Sequence, residues 1–123
     1  NGAGSARVAW VQGSGAGRPI TEAVMLLVIG TFRLPPGMIT QARPVMAQMV
    51  RASRAETGCI DYGYAEDVLD AGLIHVREMW RDQAALDAHF AMPHLARWRA
   101  AWDELGIIDR DLQAYDLGAP RAV

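Results

Sequence analysis

Three side chains with complementary chemistry lie close together in the chain, namely Glu78, Trp80 and His89. A neutral imidazole is a good general base near neutral pH, because its unperturbed pKa is about 6.5. A carboxylate can orient such an imidazole, and an indole offers an N–H donor and a flat wall for an aromatic ligand. These residue types are suited to proton transfer, and His89, Glu78 and Trp80 are the candidate catalytic residues.

Each of these residues also has a structural interpretation. His89 can be a core histidine that supports its helix against Trp80. Glu78 can form an ion pair with Arg54 or Arg97 instead of orienting the imidazole, since an isolated buried carboxylate is costly. Trp80 can simply be a core residue, as most large aromatic side chains are. The sequence alone leaves these alternatives open.

Four further residues are candidates for substrate binding: Tyr62, Tyr64, Phe90 and His94. The two tyrosines alternate onto one face of a predicted strand, where they can bond or stack on a ligand, or else only pack across strands. Phe90 follows the candidate base directly. His94 can equally serve to begin a helical segment.

Hydrophobic periodicity predicts the elements that must position these residues. It indicates strands at 23–34, 59–68, 73–80 and 107–117, and helices within 38–56, at 83–91 and from residue 93 to Gly106. Pro44 should either delay the first helix to 41–43 or kink it. The order βαββαβ predicts an α+β, ferredoxin-like fold with helices on one face of a four-stranded antiparallel sheet.

This plan leaves one sheet face uncovered by the chain, and the first and third strands read as apolar on both sides. An exposed apolar sheet face is a predicted interface. We therefore expect a homodimer through the open sheet face, with the two sheets packed face to face.

Composition limits the remaining classes of function. The 123 residues suit one domain, and a net charge of −2 with dispersed basic residues argues against nucleic acid and anionic membrane as partners. The longest apolar run is far too short to cross a bilayer. Because the only cysteine is Cys59, a reducing compartment is favoured, so we expect a cytoplasmic protein.

The expected domain limits follow from composition along the chain. Residues 1–22 are rich in Gly, Ala and Ser and are predicted to be a flexible N-terminal extension, although the apolar island at 8–11 can dock as an edge strand. Residues 23–118 form the predicted domain, and residues 119–123 form a C-terminal tail.

Four stretches, 53–62, 78–80, 86–89 and 93–94, occur in an order and spacing that resembles the antibiotic biosynthesis monooxygenase superfamily, and within it the small quinol monooxygenases. The resemblance implies a dimeric α/β barrel of ferredoxin-like subunits, each with a pocket between sheet and helices. It also implies oxygenation of a small quinol or polyphenol by O2 with no cofactor and no metal. The haem-degrading branch fits poorly, because Trp98 and Arg99 occupy the region of its histidine ligand.

A quinol can supply its own electrons to O2, so such an enzyme needs to bind it in a dry pocket, remove a phenolic proton and stabilise the anion. His89 is the expected base. Two alternatives remain open: a non-catalytic dimeric binding module for an aromatic metabolite, and an isomerase of a small oxygenated metabolite with His89 as its base.

Overall fold

The computed structural model describes the backbone of residues 6–10 and 19–23 and all atoms of residues 24–123. Its strands and helices, in chain order, are β1 (Ala6–Trp10), β2 (Pro19–Ala23), β3 (Leu26–Arg33), α1 (Ile39–Arg54), β4 (Cys59–Glu66), β5 (Leu73–Trp80), α2 (Gln83–Phe90), α3 (Pro93–Leu105) and β6 (Ile108–Asp116).

The main sheet has the strand order β4-β5-β3-β6, and every neighbouring pair is antiparallel. This order places the two central strands, β3 and β5, side by side and the hairpin partner β4 at one edge. The predicted α+β, ferredoxin-like arrangement is confirmed. The helices pack on one face of the sheet, where side chains from β3, β5 and all three helices share one apolar core.

Local sequence signals explain the ends of the helices that lead to the site. Asp82 caps α2, because its carboxylate accepts the backbone N–H of Ala85 at 2.8 Å. Pro93 occupies the first turn of α3, where its missing N–H costs nothing. Gly106 ends α3 with φ 74°, a left-handed conformation that favours glycine.

Of the two alternatives for Pro44, a first helix delayed to 41–43 is wrong, and a kink stays a prediction. A short 3₁₀ turn at Pro36–Met38 leads directly into α1, which begins at Ile39 and continues through Pro44. Since proline has no N–H, the carbonyl of Thr40 lacks its usual intrahelical donor there. The buried face of α1, which includes Ala42 and Met49, offsets this loss by packing on the core.

Alternation along β5 places four side chains toward the helices, and all four are nearly inaccessible: Ile74, Val76, Glu78 and Trp80. Glu78 is therefore a carboxylate within an otherwise apolar row. Its cross-strand partner in β4 is Tyr62, which is also buried. The strand register thus brings the candidate residues of two strands onto the same inner face.

The opposite face of the sheet is open in this chain. Ile29 of β3 is 45% exposed there, as expected for a sheet face that this chain leaves uncovered. The outward side of β5 is less apolar than expected, because it carries His75 and Arg77. The apolar part of this face is consequently concentrated around Leu27, where Met79 and Tyr115 are its register partners.

The predicted N-terminal extension lies partly outside the described residues. Within it, β1 pairs with β2 in a separate two-stranded antiparallel sheet, with Val8 opposite Thr21. The apolar island is therefore partly in a strand, but its partner is β2 and not an edge of the main sheet. In the described part of the chain, no helix is both long and apolar enough to cross a membrane.

Candidate active site

A cavity of about 300 Å³ lies between the sheet and the helical layer formed by α2 and α3. It is lined by Val28, Tyr62, Tyr64, Glu78, Leu86, His89, Phe90, Leu95, Trp98, Arg99, Arg110, Leu112, Gln113 and Ala114. Its volume is at the lower end of the range for ligand pockets, about 300–1,000 Å³, which favours a small ligand. Half of the lining residues are apolar and half carry polar or charged groups, so the cavity offers both apolar contact and hydrogen bonding to a ligand.

His89 is held in this cavity wall by a carboxylate that the sequence did not identify as a functional residue. The imidazole Nδ1 lies 2.6 Å from Oε2 of Glu56, and both side chains are almost fully buried, with 3% and 6% exposure. A carboxylate accepts but does not donate when it is ionised. The contact therefore favours the tautomer of His89 that carries its proton on Nδ1.

The second nitrogen of His89 is then free for chemistry. Among the described residues, the only buried side-chain nitrogen or oxygen atoms without a partner are Glu56 Oε1 and Trp102 Nε1. Nε2 of His89 makes no hydrogen bond to a described residue, and His89 is one of the residues that line the cavity. With the proton on Nδ1, Nε2 presents a lone pair that can accept a proton from a ligand.

Trp80 supports His89 and does not form the cavity wall. Its ring centroid lies 4.6 Å from that of the imidazole, and the residue is 0% exposed. The contact of Trp80 with an aromatic ligand stays a prediction, and no surface of the indole is accessible within one chain. Its packing instead restricts the imidazole to one orientation.

Glu78 makes neither of the contacts expected of it. Its Oε1 accepts the indole N–H of Trp80 at 3.0 Å, while the guanidinium of Arg54 donates to the backbone oxygen of Tyr62. Glu78 therefore does not orient His89, and it forms no ion pair with Arg54 or Arg97. Burial raises the pKa of Glu78 above its usual range, although the Trp80 hydrogen bond and the charge of nearby groups oppose that shift.

Tyr62 and Tyr64 form a hydroxyl pair at the sheet side of the cavity, as their shared strand face predicted. Their hydroxyl oxygens are 3.0 Å apart, and both residues line the cavity. Burial raises the pKa of both phenols, so both are neutral at working pH and can donate hydrogen bonds. Phe90 lines the same cavity and is 51% exposed, so it lies toward the solvent and not on the buried side of α2 with Leu86.

His94 lies behind the cavity wall. Its Nε2 is 2.7 Å from the same Oε2 of Glu56, and the residue is not part of the cavity lining. Substrate binding by His94 stays a prediction, and His94 is not among the residues that line this cavity. It belongs instead to a buried cluster of Glu56, His89 and His94.

Two arginines, Arg99 of α3 and Arg110 of β6, line the more exposed part of the cavity. Arg110 also lies over the ring of Trp102, with its guanidinium carbon 5.2 Å from the ring centroid. Positive charge beside a small aromatic pocket favours an anionic ligand or a ligand that becomes anionic.

A second cavity of about 240 Å³ lies between α1 and β4. Its charged lining residues are Arg43, Arg54 and Glu66, and it contains no histidine or cysteine. Since none of these groups is a good general base near neutral pH, we place the candidate site in the cavity that contains His89.

Comparison with known proteins identifies the family. The model of the antibiotic biosynthesis monooxygenase family matches residues 25–101, which include every member of the Glu56, His89 and His94 cluster. The chain belongs to this family. The resemblance seen in the sequence is thereby confirmed, and monooxygenase-type chemistry becomes the general class of activity to consider.

Relatives and solved structures agree with this assignment. The chain is 35% identical over 78 residues to a Mycobacterium tuberculosis protein named as a monooxygenase, covering 63% of this chain and 76% of that protein. An uncharacterized Synechocystis protein is 32% identical over 69 residues, which are 56% of this chain and 47% of the relative, so the match spans only about half of that protein.

Two solved structures show the same fold. One is of an antibiotic biosynthesis monooxygenase family protein from Deinococcus radiodurans, with a TM-score of 0.75, 24% identity, and coverage of 80% of this chain and 97% of that one. The other is of the M. tuberculosis protein, with a TM-score of 0.64, 30% identity, and the same coverage of 80% and 97%. The described main sheet and helices are therefore an established fold of this family.

Proposed function

We propose that this protein is a monooxygenase that oxidises a small quinol or polyphenol with O2 and uses His89 as its general base. The observation that carries the proposal is the buried contact between Glu56 and Nδ1 of His89, which leaves Nε2 available at a small cavity. Membership of the family supports a monooxygenase reaction. The small volume of the cavity supports a small substrate.

The proposed reaction begins when Nε2 of His89 accepts a phenolic proton. The ionised quinol is a much better electron donor to O2 than the neutral compound, so deprotonation starts the oxidation. One oxygen atom of O2 is then added to the ring and the other leaves as water, while the ring gives up four electrons and becomes a hydroxyquinone. Glu56 holds the imidazole in the required tautomer and stabilises the imidazolium that forms.

The other cavity groups fit the anion that this step produces. Because Tyr62 and Tyr64 share one hydrogen bond, the hydroxyl that accepts it keeps its own hydrogen to donate to a phenolate oxygen, and the guanidinium of Arg110 adds positive charge on the open side. Glu78 would oppose an anion if it were ionised, but burial favours its neutral form. These groups are therefore proposed to bind the substrate, whereas Trp80 positions the base.

We also propose that the protein is a homodimer formed through the open sheet face. Support comes from the apolar patch made of Leu27, Ile29, Met79 and Tyr115, in which Leu27 is the register partner of the last two. Ile29 and Tyr115 are about half exposed in one chain. Covering such a patch with the same patch of a second copy is the self-complementary contact that twofold symmetry provides.

Oxygen consumption tests the proposed reaction. The protein is mixed with a series of benzenediols and benzenetriols without O2, and the uptake after O2 addition is compared with autoxidation. We expect uptake above autoxidation, lost in His89→Gln and retained in His75→Gln, because His75 is paired with Asp67 on the surface. Product formation without O2 would instead indicate an isomerase. Tight binding with no turnover would indicate a binding module.

A further inference from the structure

The cluster of Glu56, His89 and His94 has the composition of a metal site. One ligand atom from each residue lies within 4.8 Å of the others, and all three residues are largely buried. Two imidazoles and one carboxylate form the ligand set of many zinc sites that keep an open position, and of non-haem iron sites. We propose that this cluster binds one divalent transition-metal ion of the zinc class.

A second observation points to the same conclusion. Oε1 of Glu56 is fully buried and has no partner among the described residues, although Oε2 contacts both histidines. A buried carboxylate oxygen without a partner is costly. An ion bound by both carboxylate oxygens and two neutral imidazoles would satisfy Oε1 and more than offset the single negative charge of the carboxylate.

The cluster needs only a small adjustment to admit an ion. In the present arrangement Nδ1 of His89 and Nε2 of His94 lie 2.6 and 2.7 Å from Oε2, as hydrogen bonds require. Ligands about 2.0–2.2 Å from a metal lie roughly 3 Å or more from one another, so the side chains must separate slightly. His94 also lines a separate cavity of about 80 Å³, so one of the three ligands is adjacent to open space.

The ion would change the chemistry of the cavity, an effect that rests on the proposed function. A metal on Nδ1 of His89 requires the proton of the neutral imidazole to be on Nε2. Nε2 then faces the cavity as a donor and can no longer accept a phenolic proton. Occupation of the cluster is therefore inhibitory, and removal of the ion restores the base.

Metal binding is measured on the full chain, prepared without a histidine tag and treated with a chelator. Calorimetry with Zn2+, and visible absorption with Co2+ as a spectroscopic probe, should show one ion per chain with micromolar or tighter affinity, and no comparable binding of Mg2+. His94→Gln and Glu56→Gln should weaken Zn2+ binding by at least about tenfold. His75→Gln is the matched control and should not change it.

Several outcomes overturn the proposal: no saturable one-to-one binding, binding unchanged in His94→Gln, or Mg2+ binding as tight as Zn2+. If the variants fold poorly, NMR of the parent protein still decides whether the cluster binds the ion. Zn2+ must shift the imidazole signals of His89 and His94 and leave those of His75 unchanged. Oxygen uptake is recorded separately. If the protein bound Zn2+ but its metal-free form oxidised no quinol, the proposed metal site would stand and the proposed function would be refuted.

Discussion

Glu56→Ala tests the energetic role of the buried cluster. The substitution removes the acceptor of two hydrogen bonds, at 2.6 Å from His89 and 2.7 Å from His94. Each imidazole N–H left buried without a partner costs about 1–3 kcal/mol, and the removed side chain also leaves a small void. We expect the free energy of unfolding to fall by about 3–5 kcal/mol, a large part of the roughly 5–15 kcal/mol of a typical domain.

Urea unfolding followed by tryptophan fluorescence measures this loss. Glu56→Gln keeps an acceptor oxygen and should cost less than the alanine substitution. Glu104→Ala, at an exposed position of α3, is the matched control and should change stability by no more than about 0.5 kcal/mol. If Glu56→Ala lowered the free energy of unfolding by less than about 1 kcal/mol, the two imidazoles would have found other partners. That result would refute the stabilising role assigned to Glu56.

Four further predictions follow from individual residues. Because burial raises the pKa of Glu78, the folded chain binds this proton more tightly than the unfolded chain, so the stability it contributes is present at low pH and is lost as pH rises through the folded pKa. Glu78→Gln should therefore stabilise the protein at about pH 7 and have little effect near about pH 4, and equal effects in urea unfolding at the two pH values would contradict this. Ile29→Glu should convert the proposed dimer to a monomer in light scattering, and an unchanged mass would argue against the open-face interface. Burial raises the pKa of the Cys59 thiol to about 11, so its alkylation at neutral pH should be on the order of a hundredfold slower than that of a free thiol, as mass spectrometry would show; equal rates would contradict its burial. Gly58→Ala should lower the melting temperature, since a Cβ there would collide with Ala85, and an unchanged melting temperature would mean that α2 can move away.

The fold could be predicted from the sequence because its signals are local. Alternation along residues 73–80 placed Glu78 and Trp80 on the inner face, and the cap, proline and glycine of α2 and α3 marked the helix ends. The start of α1 was missed because tertiary packing of its buried face tolerates Pro44 in the helix. Propensity alone cannot weigh that packing.

The site was predicted less completely, because its key contact joins residues far apart in the chain. His89 was identified, but its partner Glu56 is 33 residues away. One signal in the sequence could have identified Glu56. A carboxylate just after the C-terminal end of a helix interacts unfavourably with the helix dipole, so its presence there suggests another role. The partner of Glu78 was missed for another cause, since the nearest donor on its own strand face, the indole of Trp80, was treated only as a wall for the ligand.

The measurement that tests the account most directly is the tautomer of His89 in the metal-free protein. Long-range ¹H–¹⁵N NMR correlations distinguish a protonated Nδ1 from a protonated Nε2 in a neutral imidazole. Because Nδ1 contacts the carboxylate of Glu56, the account predicts that the proton is on Nδ1 and that Nε2 is unprotonated. A neutral His89 with its proton on Nε2 would contradict the account, since it would have no lone pair facing the cavity.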